Sequence, residues 1–89
     1  MSAPPFTEVV DWTDGRVRTS GPLTPVAVDL LAGPVHQLRR AGHARVVVEV
    51  GAGHPPEEEE LGALAALAAG LRAHRCELIV IREEEEYVW

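Results

Sequence analysis

Lysine and asparagine are absent from this chain, glutamine occurs once, at Gln37, and a single cysteine, Cys76, stands alone. One cysteine permits no internal disulfide and fits a reducing compartment. The arginines number eight against fourteen Asp and Glu, for a net charge of −6. No basic run exists from which to build the positive face that displaces counterions from a nucleic acid, so no nucleic-acid partner is expected. Long apolar stretches are missing as well. The longest, Leu61 to Leu71, is far short of the roughly 20 residues that a membrane span needs. The opening Met-Ser-Ala-Pro-Pro has neither the basic nor the apolar segment of a secretory signal. The expectation is a cytoplasmic protein with no membrane span. Aromatic side chains are scarce, namely Phe6, Trp12, Tyr87 and Trp89.

What is present describes one small globular domain. Its 89 residues, 46% apolar and 25% charged, are ordinary for a folded protein. A chain this short buries only about 60–65% of its unfolded surface, so its core must be economical. The dominance of Ala, Gly, Pro and Arg points to a GC-rich bacterial genome and says nothing about chemistry.

Residues 1–5 read as a disordered leader. Phe6 to Trp12 is rich in residues that suit a strand, Thr13-Asp14-Gly15 is a turn, and Arg16 to Ser20 alternates as a second strand, so 6–20 forms a β-hairpin. Thr24-Pro25 starts a helix, with Thr24 as N-cap and proline in the first helical position. Ala27, Leu30, Leu31, Val35 and Leu38 continue it to about residue 41. Gly33-Pro34 inside this stretch predicts a kink or two short helices. Ala44 to Val50 is a strand with Val46, Val48 and Val50 on one face and Arg45, Val47 and Glu49 on the other. After a Gly/Pro loop at 51–56, residues 57–74 form a helix with Leu61, Leu64, Leu67 and Leu71 as its apolar stripe. Gly62, Ala66, Ala69, Gly70 and Ala73 make an adjoining strip of small residues expected to sit close on a sheet. Residues 77–82 are a buried strand, and 83–89 an acidic tail with an aromatic tip.

The fold class is therefore α/β, an N-terminal β-hairpin followed by α-β-α-β. Right-handed crossovers make a four-stranded mixed sheet with both helices mainly on one face. The domain is residues 6–82. Val47, Ile79 and Ile81 should then point to the uncovered face, which predicts either a homodimer or a fold-back of 83–89, with Trp89 packed in both cases.

Several segments in order resemble STAS domains, the family of bacterial anti-sigma-factor antagonists. Ser20-Gly21-Pro22-Leu23 resembles the family's strand-end Gly-x-Leu, and Leu30-Leu31 through Leu38 to Gly42 its first helix. Arg45 to Val50 resembles the central Val-Val-Val-Asp-Leu strand, Leu61 to Leu67 with Leu71-Arg72-Ala73 the helix after the regulatory loop, and Cys76 to Ile81 the next strand. The resemblance spans about residues 6–82 and implies a non-enzymatic protein-interaction module in a partner-switching system. Its partner would be an anti-sigma factor or a kinase-like regulator. Two departures bear on that implication. The family's Asp-Ser-Ser-Gly-Leu switch, where a kinase phosphorylates serine, falls on Glu57-Glu58-Glu59-Glu60-Leu61, with Glu58 at the serine position. The family's further helix is not matched either. The implied module is therefore not phosphorylated at the usual position.

The candidate partner-binding residues are His54, Glu57, Glu58, Glu59, Glu60, Tyr87 and Trp89. The four glutamates have three readings: a first helical turn complementing the dipole and free N–H groups, a permanent negative patch where a phosphate would stand, or a cation site. His54 and Glu57 do not have the spacing of a His-Glu-x-x-His metal helix. His36, His43 and His74 read as surface or capping residues, and Cys76 as a small buried hydrophobe. No cofactor, metal or catalytic residue is expected. The function class left open beside the regulatory module is a structural or accessory subunit of a homo-oligomer or larger complex.

Overall fold

In the computed structural model, residues 6–21, 23–51, 58–82 and 85–88 are described. The chain runs β1 (Thr7–Asp11), β2 (Arg16–Ser20), α1 (Pro25–Arg40), β3 (Arg45–Val50), α2 (Glu58–Arg72), β4 (Glu77–Arg82) and β5 (Glu85–Val88). The strands form one sheet in the order β1-β2-β3-β4-β5. β1 and β2 are an antiparallel hairpin, β2, β3 and β4 are parallel, and β5 returns antiparallel on β4. The α/β class, the hairpin and the mixed sheet with two helices are as the sequence predicts. The difference lies in 83–89. Part of this stretch, Glu85–Val88, folds back as a fifth strand, paired from Arg82↔Glu85 to Ile79↔Val88, so the sheet has five strands rather than four; Trp89 lies outside the described residues. The β5 ladder satisfies backbone groups that the edge of β4 would otherwise leave to water.

Both crossovers step the same way across the sheet, which puts both helices on one face. That face and the helices share one core. Val17, Val46, Val48, Leu78 and Val80 meet Val28, Leu31, Val35 and Leu38 of α1 and Leu64, Leu67, Ala68 and Leu71 of α2. Burying each such Val or Leu side chain contributes about 1.5–3 kcal/mol. Phe6, Val10 and Leu23 close the rim.

The helices correct the sequence reading in three places. α1 is continuous through Pro34. Pro34 has no N–H to donate to the Leu30 carbonyl, and Leu30 itself lies on the exposed side of the helix at 55% exposure. In α2 the inner stripe is Leu64, Leu67, Ala68 and Leu71, with Leu61 only half-buried. The strip of small residues does not lie on the sheet: Gly62, Ala66, Ala69 and Ala73 are exposed. Only Gly70 approaches a neighbour, since a Cβ there would stand 3.9 Å from Cε1 of His36 on α1.

Capping follows the sequence. Thr24 Oγ1 accepts from the Ala27 N–H at 3.2 Å, satisfying one of the free N–H groups of the first turn. The hairpin turn is pinned from outside itself. Gly15 has φ 68°, and a Cβ there would come within 2.7 Å of His43 Nδ1, so glycine is required. The His43 ring in turn reaches the Trp12 carbonyl through Nε2 at 2.8 Å.

Candidate functional site

The parallel strands β2, β3 and β4 end on the same side of the molecule, and α2 begins there. The strand order β1-β2-β3-β4-β5 never reverses, so this end has no switch-point crevice of the doubly wound kind, and what it presents is the first turn of α2. Glu58, Glu59 and Glu60 form the first turn of α2. Acids in this position complement the unpaired N–H groups and the helix dipole, at about 0.3–1 kcal/mol each. Glu58 and Glu59 are exposed and Glu60 half-buried. None of the three is in an ion pair among the described residues. Glu58 and Glu59 thus project negative charge into solvent at the mouth of the sheet.

The other candidate residues do not join this turn. Tyr87 lies on β5 in register with Val80, in the middle of an edge strand. His54, Glu57 and Trp89 lie outside the described residues, so the structure does not place them.

Two features of the site escape the sequence reading. The first is Glu8, at this same end because β1 runs against β2. Glu8 pairs with Thr19 in the ladder, and its Oε2 is buried without a hydrogen-bond partner. Burial pushes its carboxyl above the ordinary range. The signal was available: Val10 faces the core, and residue i−2 on a strand faces the same way. Beside it Thr19, 5% exposed, donates its hydroxyl to the Glu49 carbonyl at 3.0 Å.

The second is a charge ladder on the helix-free face. Glu49 accepts from Arg16 Nη1 through one oxygen and from Arg18 Nε through the other, both at 3.0 Å. Arg45 Nε reaches Glu77 at 3.3 Å. These ion pairs flank Val47, Ile79 and Ile81, which occupy this face as the alternation predicts. Ile79 is nevertheless only 6% exposed. Finding the ladder from sequence requires the parallel register Arg18↔Glu49, which no local pattern encodes.

At the opposite end, Cys76 is 2% exposed, with Sγ 3.4 Å from the His43 carbonyl. Burial pushes its thiol above the usual value, a shift that the Arg39 charge opposes and the Glu77 charge assists. It remains a protonated thiol at neutral pH, in keeping with a packed hydrophobe. Among the described residues, no three His, Cys, Asp or Glu side chains stand together as a metal-ligand set. None of the helices there is long and apolar enough to cross a membrane.

In comparisons by family model, by curated sequence and by solved structure, nothing matches the chain.

Proposed function

We propose that this chain is a non-enzymatic, STAS-like protein-interaction module of a bacterial regulatory system. It acts in the cytoplasm, and its contact surface is the 51–60 segment with the first turn of α2. The observation that carries this reading is the exposed pair Glu58 and Glu59 at the carboxyl end of the parallel strands. In the family that the sequence resembles, the serine that a kinase phosphorylates falls at Glu58. A phosphate carries about −1.5 to −2 charge, and the carboxylates supply negative charge there permanently. The module is then fixed in one state: it docks a partner that reads the negative surface and is not released by a phosphatase. Docking by charge of this kind governs partner choice and encounter rate more than raw affinity.

The test is phosphate transfer and complex formation with an anti-sigma-factor kinase of the same cell. The wild-type chain should take up no phosphate at 57–60. It should behave toward the kinase as one nucleotide-independent species. Phosphate on the wild-type chain at any of these positions would overturn the locked state. Failure to bind any such kinase, together with a stable homo-oligomer buried through the helix-free sheet face, would replace the regulatory reading with that of a structural subunit.

A further inference from the structure

The arginines whose side chains are described divide into two groups. Arg16, Arg18 and Arg45 are held by Glu49 and Glu77 on the sheet. Arg39, Arg40, Arg72 and Arg75 reach no carboxylate among the described residues. All four stand where α1 and α2 finish, at the amino end of the parallel strands. The helices run in the same direction, because each returns the chain from the end of one parallel strand to the start of the next. Their last turns are neighbours, as the approach of Gly70 to His36 shows. The His36 imidazole is held low first by burial and then by the charges of Arg39, Arg40 and His74. Among the described residues, the carboxylates at this end are engaged or belong to the hairpin turn. Glu77 is paired with Arg45. Asp11 accepts from the Thr13 and Asp14 N–H groups in the hairpin turn, and Asp14 belongs to that same turn.

Arginine in a last helical turn is explained by the dipole. Arg75 is not in a helical turn. The two helices close with the same hydrogen bonds: the His43 N–H donates to the Leu38 carbonyl, and the Cys76 N–H to the Leu71 carbonyl. Such a closure needs a left-handed residue, for which glycine is usual. α1 uses Gly42, at φ 105°, and α2 uses Arg75, at φ 58°. The Arg75 side chain is exposed and gains no partner within the described chain. The left-handed backbone at 75 closes α2, since the Arg75 N–H also donates to the Arg72 carbonyl, but glycine serves that closure as it does at Gly42, so the cap does not account for an arginine side chain there.

We propose that this arginine end is an interaction surface whose occupant is the acidic end of a second copy, docked head to tail. Arg72 and Arg75 of one copy meet Glu58 and Glu59 of the next. Charge complementarity selects this partner. α2 begins on exposed Glu58 and Glu59 and ends on exposed Arg72, with exposed Arg75 just beyond it, so end-to-end stacking joins opposite charges and continues the helix dipoles. Two molecules of net charge −6 repel each other overall, so the local attraction between opposite ends has to exceed that repulsion and favours this orientation over those that bring like charges together. The contact is heterologous, so it extends into short chains rather than closing as a symmetric dimer. It uses the same Glu58 and Glu59 as the proposed partner surface, so the two contacts compete, but the arginine variants leave that surface intact and test self-association separately from the docking reading.

Sedimentation velocity of the full chain over a concentration series tests it. At about 20 mM salt the wild type should grow with concentration, and at about 300 mM, where screening shortens the reach of charge, it should be monomeric. Arg72→Glu with Arg75→Glu should weaken association at least about tenfold through like-charge contact, as should Glu58→Arg with Glu59→Arg. An equimolar mixture of the two variants should associate again. Arg75→Gly separates the roles: it should raise Tm by several degrees by relieving the backbone while weakening association. A purely structural Arg75 would leave association unchanged, which contradicts the proposal. A wild type that stays monomeric at low salt, or an Arg72/Arg75 double variant that associates as the wild type does, would overturn it. So would a monomeric wild type whose arginine end binds a synthetic polyglutamate peptide, since the surface would then have a different occupant.

Discussion

The sheet face beneath the helices carries Val17, Val46, Val48, Leu78 and Val80, none of them more than 4% exposed. The other face of the same strands carries Arg16, Arg18, Arg45, Glu49 and Glu77 among Val47, Ile79 and Ile81. One residue of register separates the two sets, because successive side chains point to opposite faces. The covered face stabilises by removing apolar area from water. The open face stabilises little, since ion pairs with substantial exposure are worth about 0–1 kcal/mol each. Its contribution is to fix the register between the hairpin and β3 while keeping a half-apolar surface charged. Apolar burial and charge are thereby assigned to different faces of one sheet.

Removing a buried side chain beneath the helices should have the largest effect. Leu64→Ala should destabilise by about 2–5 kcal/mol, from lost transfer energy plus the cavity left behind. Urea unfolding measures it, and a midpoint within error of the parent would mean that α2 is packed through another stripe. On the open face, Glu49→Gln removes the anchor of two arginines. It should cost about 0.5–1 kcal/mol, shrinking in high salt. A loss as large as that of Leu64→Ala would erase the contrast between the faces.

The smallest effects are pH-dependent. His36 is held below its ordinary value by burial and by Arg39, Arg40 and His74, so the unfolded chain binds its proton more readily. Stability should therefore be level above about pH 6.5 and fall as pH drops toward the folded value. His36→Gln should flatten this part of the Tm–pH curve. Glu8 works in the opposite sense. Its folded value is raised, so the folded state is favoured in acid and loses that advantage as pH rises through the raised value. Glu8→Gln should raise Tm slightly at pH 7 and leave it unchanged well below pH 4. An unchanged Tm at pH 7 would place the Glu8 carboxylate in water.

Much of the fold is legible in sequence because it is local. Thr24-Pro25, the alternation at 45–50 and the hairpin turn each specify their element within a few residues. The fifth strand is not legible in this way. Glu85 and Glu86 have poor strand propensity, and their pairing depends on the unsatisfied edge of β4, a tertiary fact. The strip at Gly62, Ala66 and Ala69 misleads for a related reason: small residues suit a close approach, but on α2 they are the side turned to solvent. Of the candidate site, the run of glutamates could be read directly, and its place at the mouth of the sheet follows from the crossover rule. The Arg16–Glu49–Arg18 ladder and the gathering of Arg39, Arg40, Arg72 and Arg75 are products of the assembled fold. A count of eight scattered arginines in an acidic chain conceals them.

The acidic turn of α2 as a permanent, charge-based contact surface is tested most directly by affinity for the anti-sigma-factor kinase at two salt concentrations. The wild type is compared with the variant carrying Glu58→Ser and Glu59→Ser, both unphosphorylated. The expected result is a clear difference at about 20 mM salt that shrinks at about 300 mM, as screening weakens the carboxylates' field. Equal affinities at both concentrations would contradict the reading and reduce Glu58 and Glu59 to complements of the helix dipole.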